Sequence, residues 1–291
     1  MLLNDNLYFS LPYRIRSKLS KGLIVRHLVG PNHLLVPASI DLEPWKPGWM
    51  SDLLTRVLPH LQGTFIDVGV NRLQTFFDLR SVDLDRSYVG FEPNPACSSY
   101  AWEVFRLNTS LDSLIVSCAL AAESGVLDLW VTRGSEFDSC ATTIRELRPG
   151  RAVERIAAPA ATADQVLSGL KIDEISLLKI DVEGGELSVL RGAISVLSGM
   201  RPIVLCEVLL RDKKADPELY LETISALSEL LEKVNYRAYQ ILKDERSSQV
   251  LSIHRITQFP NNVWNESNSE ECDYFFCPAE RAAFLEGIVL R

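Results

Sequence analysis

The sequence predicts a doubly wound, mostly parallel α/β sheet, and three observations carry that reading. Short apolar runs at 65–68, 88–91, 114–119, 175–181 and 203–208 alternate with helical spacing at 95–107, 184–197 and 217–234, and repeated βα alternation builds parallel sheets with right-handed crossovers. Several of these runs end in a glycine or an acid: Gly69 after the first, Glu92 after the second, Asp181 at the end of the fourth. Those positions border the crevice where open α/β sheets bind ligands. Finally, 291 residues with 47% hydrophobic content supply one large core with material for an appendage.

In chain order, residues 1–60 read as an N-terminal cap or lid and residues 61–291 as the sheet domain. Pro31, Pro37, Pro44 and Pro47, with Trp45, Gly48 and Trp49 among them, disfavour long regular elements. A helix is expected over 49–60, with Met50, Leu53, Leu54, Val57 and Leu58 on one face. The strands and helices above follow from Thr64. Residues 127–132 read as one strand of an extra hairpin, and 133–163, polar and broken by proline, as an irregular active-site loop. Near the C-terminus, 239–242, 250–253 and 274–277 read as short strands that close the sheet in antiparallel fashion.

Composition narrows the function classes. A formal charge of -8 argues against nucleic acid as a partner, because phosphate neutralisation needs an excess of Lys and Arg on one face. A small-molecule or glycan substrate is expected instead. Cys97, Cys118, Cys140, Cys206, Cys272 and Cys277 are scattered through a chain too large to need staples, so they read as reduced thiols and the compartment as cytoplasmic. No apolar run is long enough for a signal peptide or a membrane span. Between Tyr13 and His27, the basic residues Arg14, Arg16, Lys18, Lys21 and Arg26 alternate with apolar ones. That pattern suits either a solvated cap helix or, less well, an amphipathic helix on a membrane surface.

The chemistry-bearing segments are three. The first βα turn reads Asp67-Val68-Gly69-Val70-Asn71-Arg72-Leu73; an acid on a buried strand, then glycine, then a polar loop opening a helix brings backbone N–H groups to a nucleotide-like ligand. A dinucleotide fingerprint would show three glycines, so pyrophosphate binding is disfavoured. The second strand ends Gly90-Phe91-Glu92-Pro93-Asn94, where an acid can accept two hydrogen bonds from a ribose diol. Backbone groups at Ala119, at the end of the third strand, can frame an adenine. The fourth strand ends Lys179-Ile180-Asp181-Val182-Glu183-Gly184-Gly185-Glu186, three carboxylates on one strand-to-helix turn.

Together, the Asp-Val-Gly-x-Asn turn, Gly-Phe-Glu-Pro-Asn and above all the segment from Leu177 to Ala193 resemble the FkbM family of S-adenosylmethionine-dependent methyltransferases. The resemblance runs from about residue 64 to 208, with a similar closing strand at 273–278. It implies a class I methyltransferase fold, Rossmann-like with a seven-stranded sheet, and O-methylation of a hydroxyl on a sugar, glycan or glycosylated natural product. By the same resemblance Asp67, Gly69 and Asn71 hold the amino-acid end of the cofactor, Glu92 its ribose, and Asp181 lies beside the methyl-donating sulfonium. Leu73 departs from the pattern, which usually has glycine there; it implies a displaced loop or impaired cofactor binding, and Arg72 beside it could pair with the methionine carboxylate.

A sugar hydroxyl is a poor nucleophile, so a general base is expected, with Asp181, Glu183 and Glu186 as the candidate catalytic acids. The same acids suit Mg²⁺, but such sites keep waters and use few protein ligands, and no metal site is assigned. Glu207, ending the fifth strand among apolar neighbours, is either paired structurally or in contact with substrate. His27, His33, His60 and His254 have no partner spacing and read as structural. Two rival functions remain open on the residues alone: a methyltransferase-fold binding protein without turnover, and a nucleotide-linked oxidoreductase.

Overall fold

The computed structural model describes residues 2–12, 15–16, 22–38, 42–135, 137–147, 153–212, 216–244, 249–265, 268 and 271–289. Its main sheet contains β4 (Thr64–Val68), β5 (Tyr88–Phe91), β6 (Ser113–Val116), β10 (Ile175–Ile180), β11 (Val204–Glu207), β12 (Tyr236–Asp244), β13 (Gln249–Ile256) and β14 (Asp273–Pro278). The order is β13-β12-β14-β11-β10-β4-β5-β6, parallel from β11 to β6 and antiparallel through β14, β12 and β13. Chain direction across the sheet reverses between β4 and β10: β5 and β6 build outward from one, β11 from the other. That reversal opens the crevice in which a doubly wound sheet binds its ligand.

Alternate residues of each buried strand feed two cores, because side chains point to opposite faces with period two. Phe65, Leu177, Leu205 and Phe275 face one core; Ile66, Leu178, Val204 and Phe276 face the other. On the first face pack α2 (Trp49–Val57), α3 (Gln74–Val82), α4 (Pro95–Leu107) and α9 (Ala282–Val289). Against the second lie α5 (Ala163–Gly169), α6 (Glu186–Arg191), α7 (Ile194–Gly199) and α8 (Pro217–Lys233).

The main sheet has eight strands where the resemblance implies seven, with β13 at one edge, and the structure departs from the sequence expectations at four further places. First, the N-terminal segment is more regular than its prolines suggest. β1 (Leu2–Asn4), β2 (Ile24–Val29) and β3 (Asn32–Pro37) form a small sheet beside α1 (Asp5–Ser10), and Tyr8, Val25, Val29, Leu34 and Val36 join the first core. In β2, Val25, His27 and Val29 point inward while Arg26 and Leu28 are exposed, so this part of the basic stretch is a strand, not a helix. Arg14, Lys18 and Lys21 lie outside the described residues.

Second, β6 ends at Val116, and the chain leaves the main sheet to form β7 (Ala119–Leu120). Third, residues 153–161, expected to be irregular, are a strand, β9 (Val153–Ala161), paired antiparallel with β8 (Gly125–Thr132) and parallel with β7. Pro159 stands one residue before the β7 pairing begins at Ala160, so its missing N–H interrupts no partner there. Fourth, the helix expected over 184–197 is two helices broken at Gly192. A Cβ on Gly192 would stand 2.0 Å from the Ala121 carbonyl oxygen, so the glycine lets this corner press on the chain after β7.

All six cysteines are free, and five are buried. Among the described residues no helix is long and apolar enough to cross a membrane.

Candidate active site

The β4–α3 turn owes its shape to one glycine. Gly69 has φ +87°, and a Cβ there would stand 1.8 Å from the Asp181 carbonyl oxygen on the neighbouring strand. Only a residue without a side chain permits that approach. The Gly69 and Val70 N–H groups donate to the Phe91 carbonyl at 3.0 and 3.3 Å, tying the turn to the end of β5. Asn71 and Leu73 then adopt left-handed φ values of 47° and 69° before α3 starts at Gln74.

Leu73 settles where the missing family glycine goes. Its backbone takes the left-handed conformation that glycine favours, while its side chain is fully buried in the first core and lines no part of the ligand cavity. The leucine is turned away from the site rather than into it.

Glu92 follows β5 and is buried. One carboxylate oxygen accepts the Asn71 N–H at 2.7 Å and the other the Asn94 N–H at 2.8 Å. A carboxylate offers about four lone-pair sites, so two remain for a ligand. Burial raises its pKa against the pull of those two N–H donors. Asn94 caps α4 by accepting the Ala96 N–H at 3.0 Å, which fixes the Glu-Pro-Asn corner.

Lys179 holds the reversal point together from below. It sits opposite Asp67 in the β10–β4 register, and its ammonium lies 2.8 Å from the Gly69 carbonyl, 3.1 Å from Asp67 Oδ1 and 3.4 Å from Asp181 Oδ2. Burial alone would lower its pKa, but the Asp67 and Asp181 carboxylates more than offset that, and the lysine stays charged. Asp67 is fully buried, accepts the Tyr88 hydroxyl at 2.7 Å and does not line the cavity. The acid expected to touch the cofactor is instead the anchor of this lysine.

The acids after β10 divide by position. Asp181, with 43% of its side chain exposed, lines the cavity beside Lys179. Glu183 also lines it; its backbone has φ 56° and its carbonyl accepts the Thr142 hydroxyl at 2.7 Å. Glu186, expected among the catalytic acids, is buried off the cavity and accepts the Val182 and Gly184 N–H groups at 3.3 and 2.9 Å. Burial pushes its pKa up to about 7. It closes the turn that presents Asp181 and Glu183.

These elements enclose one cavity of about 360 Å³. Gly69, Asn71, Gln74 and Glu92 line it from the β4 and β5 tips, Cys118, Ala119 and Leu120 from the β6–β7 segment, and Asp181, Glu183 and Glu207 from the β10 and β11 tips, with Leu127, Leu129, Asp138, Ser139, Ala141 and Thr143 completing the wall. Of the site residues expected from sequence, it gathers Gly69, Asn71, Glu92, Ala119, Asp181 and Glu183, and leaves Asp67 and Glu186 outside. It adds Lys179 and includes Glu207, for which the sequence left a structural pairing and a substrate contact open. Burial, and next the Asp181 charge, raise the Glu207 pKa well above the ordinary glutamate value. One carboxylate oxygen from each of Asp181, Glu183 and Glu207 lies within 4.8 Å of the others, a spacing that can share a proton or hold a divalent cation. The histidines stand elsewhere: His27 is buried against Asp5 at 3.0 Å and His254 meets Ser252 at 2.9 Å.

The sequence profile of the methyltransferase FkbM domain matches residues 67–238. No curated protein matches the chain significantly. Among solved structures, the methyltransferase FkbM from Methylobacillus flagellatus KT is similar at 14% identity and a TM-score of 0.44, over 74% of this chain and 43% of that one. This chain therefore spans less than half the length of that protein. A precorrin-6y C5,15-methyltransferase from Geobacter metallireducens GS-15 is similar at 11% identity and a TM-score of 0.37, over 77% of this chain and 85% of the other.

Proposed function

The chain belongs to the FkbM methyltransferase family, and from that premise we propose that it is an S-adenosylmethionine-dependent O-methyltransferase acting on a hydroxyl of a sugar, glycan or glycosylated natural product. The observation that carries the reading is the convergence of the β4, β5 and β10 tips, with Gly69, Glu92 and Asp181, on one cavity at the reversal point of the sheet. The residues present fit the cofactor. Gly69, Asn71 and Gln74 line the cavity beside Glu92, and Glu92 is pre-positioned by two backbone donors with acceptor capacity left over.

On this reading Gly69, Asn71 and Gln74 bind the amino-acid end of the cofactor, Glu92 the ribose hydroxyls, and Cys118, Ala119 and Leu120 the adenine. The bound cofactor supplies an electrophilic methyl group on a sulfonium whose leaving group departs neutral. The chain's own work is alignment, exclusion of water and removal of a proton from the acceptor hydroxyl. Leu127, Leu129, Asp138, Ser139, Ala141 and Thr143 complete the cavity wall. Proton removal falls to the Asp181, Glu183 and Glu207 group, while Glu186 supports the turn. A formal charge of -8 favours a small-molecule or glycan acceptor over nucleic acid, with the cytoplasm as the setting.

Leu73 is the best support for the rival reading of a binding protein without turnover, and its burial in the core, off the cavity, supports the methyltransferase reading instead. Calorimetry with S-adenosylhomocysteine, followed by transfer of labelled methyl from S-adenosylmethionine to a panel of free sugars, nucleotide sugars and glycosides, tests the proposal. Binding with transfer to a hydroxyl supports it. Failure to bind S-adenosylhomocysteine defeats it, as does methyl transfer to carbon or nitrogen only.

A further inference from the structure

A second cavity, of about 310 Å³, shares Gln74 with the first. Its walls come from the N-terminal segment (His27, Trp45), from α3 and the turn before it (Arg72, Phe77), from Tyr100 of α4, and from Phe137. Phe137 belongs to the same loop whose next residues, Asp138 and Ser139, line the first cavity. One loop therefore borders both chambers.

The polar groups in this wall are satisfied to different degrees. The Trp45 indole N–H donates to Asp78 at 3.1 Å, His27 is occupied by Asp5 at 3.0 Å, and the Gln74 side-chain oxygen accepts the Arg72 backbone N–H at 3.1 Å. Glu43 and Lys46 are exposed at the rim. Arg72 is half-buried, yet its guanidinium makes no hydrogen bond and no ion pair among the described residues, and its Nε is sealed from solvent without an acceptor. Buried donors are ordinarily satisfied, and a guanidinium most of all, since its planar fork matches a carboxylate or phosphate. Asp78 lines the same cavity without pairing with Arg72; burial pushes its pKa up to about 7, so it is a weak neutralising charge there.

Resting on the methyltransferase reading, we propose that the second cavity is an acceptor subsite for an anionic monosaccharide unit. Arg72 binds the carboxylate or phosphate of that unit, and Trp45, Tyr100 and Phe137 pack on its ring. The volume suits one ring with its charged substituent, near the lower end of small-ligand sites. Aromatic walls take the apolar face of a sugar ring, and the half-buried Arg72 guanidinium, with Lys46 exposed at the rim, selects for negative charge. Gln74 and the 137–139 loop, on the border of both cavities, would lie between the anchored unit and the reacting hydroxyl. Because Arg72 lines only the second cavity, its charge serves the acceptor and not the cofactor.

The test uses the full chain and tryptophan fluorescence, since Trp45 is in the wall. D-Glucuronate, D-glucose 1-phosphate and neutral D-glucose are titrated separately, with and without saturating S-adenosylhomocysteine. Saturable binding of at least one anion, about tenfold or more tighter than glucose, is expected, and which anion binds identifies the acidic group. Arg72→Gln should remove that preference and Arg72→Lys restore part of it, while S-adenosylhomocysteine affinity by calorimetry stays at the wild-type value in both. Equal binding of glucose and both anions, no saturable binding of any, or anion binding unchanged in Arg72→Gln would overturn the proposal. So would a parallel loss of S-adenosylhomocysteine affinity, which would assign Arg72 to the cofactor. If Arg72→Gln does not fold, Arg72→Lys decides alone, because losing the fork geometry must still weaken the anion. Wild-type protein that binds the anion but not S-adenosylhomocysteine would sink the methyltransferase reading and leave the anion site standing.

Discussion

Replacing Leu73 separates two effects that act in opposite directions at one residue. The side chain is fully buried among Phe76, Leu79 and their neighbours, while the backbone is held at φ 69°. Truncating a buried leucine to alanine costs about 3–5 kcal/mol where the site cannot collapse. Leu73→Ala should fall in that range, since it loses the packing and keeps the left-handed strain. Going on to glycine loses one more methyl, about 0.8 kcal/mol, and about 0.5–1 kcal/mol of backbone entropy. Against this it releases about 1–2 kcal/mol of left-handed strain. Leu73→Gly should therefore be as unstable as Leu73→Ala to within about 1 kcal/mol, although it has lost more side chain. Urea denaturation with unchanged m-values measures both differences. Calorimetry at a temperature where both variants are folded should find S-adenosylhomocysteine affinity within about threefold of wild type, well under the 1.4 kcal/mol of a tenfold change. If Leu73→Gly matched the wild type in stability, the packing argument would be wrong. If it bound the cofactor product tenfold more tightly, the leucine would be an obstruction in the site after all.

Glu92→Gln should weaken S-adenosylhomocysteine at least about tenfold, because hydrogen bonds to a charged acceptor contribute about 1.5–3 kcal/mol each; unchanged affinity in calorimetry would free Glu92 from the ribose role. Lys179→Met should destabilise the fold by about 3–5 kcal/mol by stranding the buried Asp67 charge, and adding Asp67→Asn should recover part of it; additive losses in the double mutant would show that the two do not act as a pair. Glu186, about 7 when folded against 4.5 ordinarily, holds its proton more tightly in the native state. Its contribution to stability is thus fullest below pH 4.5 and falls as pH rises through 7. Glu186→Gln should flatten the thermal stability profile between pH 5 and 8 and gain on the wild type at pH 8, whereas a parallel profile would place the pH dependence elsewhere. Asp181→Asn should slow methyl transfer far more than it lowers the melting temperature, and near-normal turnover with a lower melting temperature would make Asp181 a structural partner of Lys179.

Much of the fold was legible because its strands are buried on both faces and therefore read as continuous apolar runs. β4, β5, β10 and β11 lie within one or two residues of their expected positions. What escaped was structure whose signal is local in neither composition nor period. β9 ends in Ala157-Ala158-Pro159-Ala160-Ala161, which carries little strand propensity, and forms because β8 and β7 flank it. The break at Gly192 is invisible in a helical pattern that continues through it. It arises from the Ala121 carbonyl, seventy-one residues away in sequence. The strand in the basic N-terminal stretch shows only once Val25, His27 and Val29 have a core to face.

The site divides along the same line. Gly69, Glu92 and Asp181 were legible because position at the end of a parallel strand is itself the information, and the sheet must present those residues to the crevice. The roles of the acids were not, because a carboxylate's chemistry depends on what the next strand places beside it. Asp67 looks like a ligand-binding acid until register puts Lys179 opposite it, and Lys179 looks like an intrusion in an apolar strand until Asp67 and the Gly69 carbonyl meet it. Glu186 follows two glycines as a catalytic acid would, yet the chain folds back so that one oxygen of its buried carboxylate accepts two N–H groups and the side chain lies off the cavity. Glu207 gains its place because β11 lies next to β10, bringing it within reach of Asp181 and Glu183. An acid at a strand tip is therefore a candidate from sequence, but whether it anchors, caps or faces the acceptor is decided by the neighbouring strand. By that criterion, on the function proposed above, proton removal falls to Asp181, Glu183 and Glu207, which line the cavity, and not to Glu186, their neighbour in sequence.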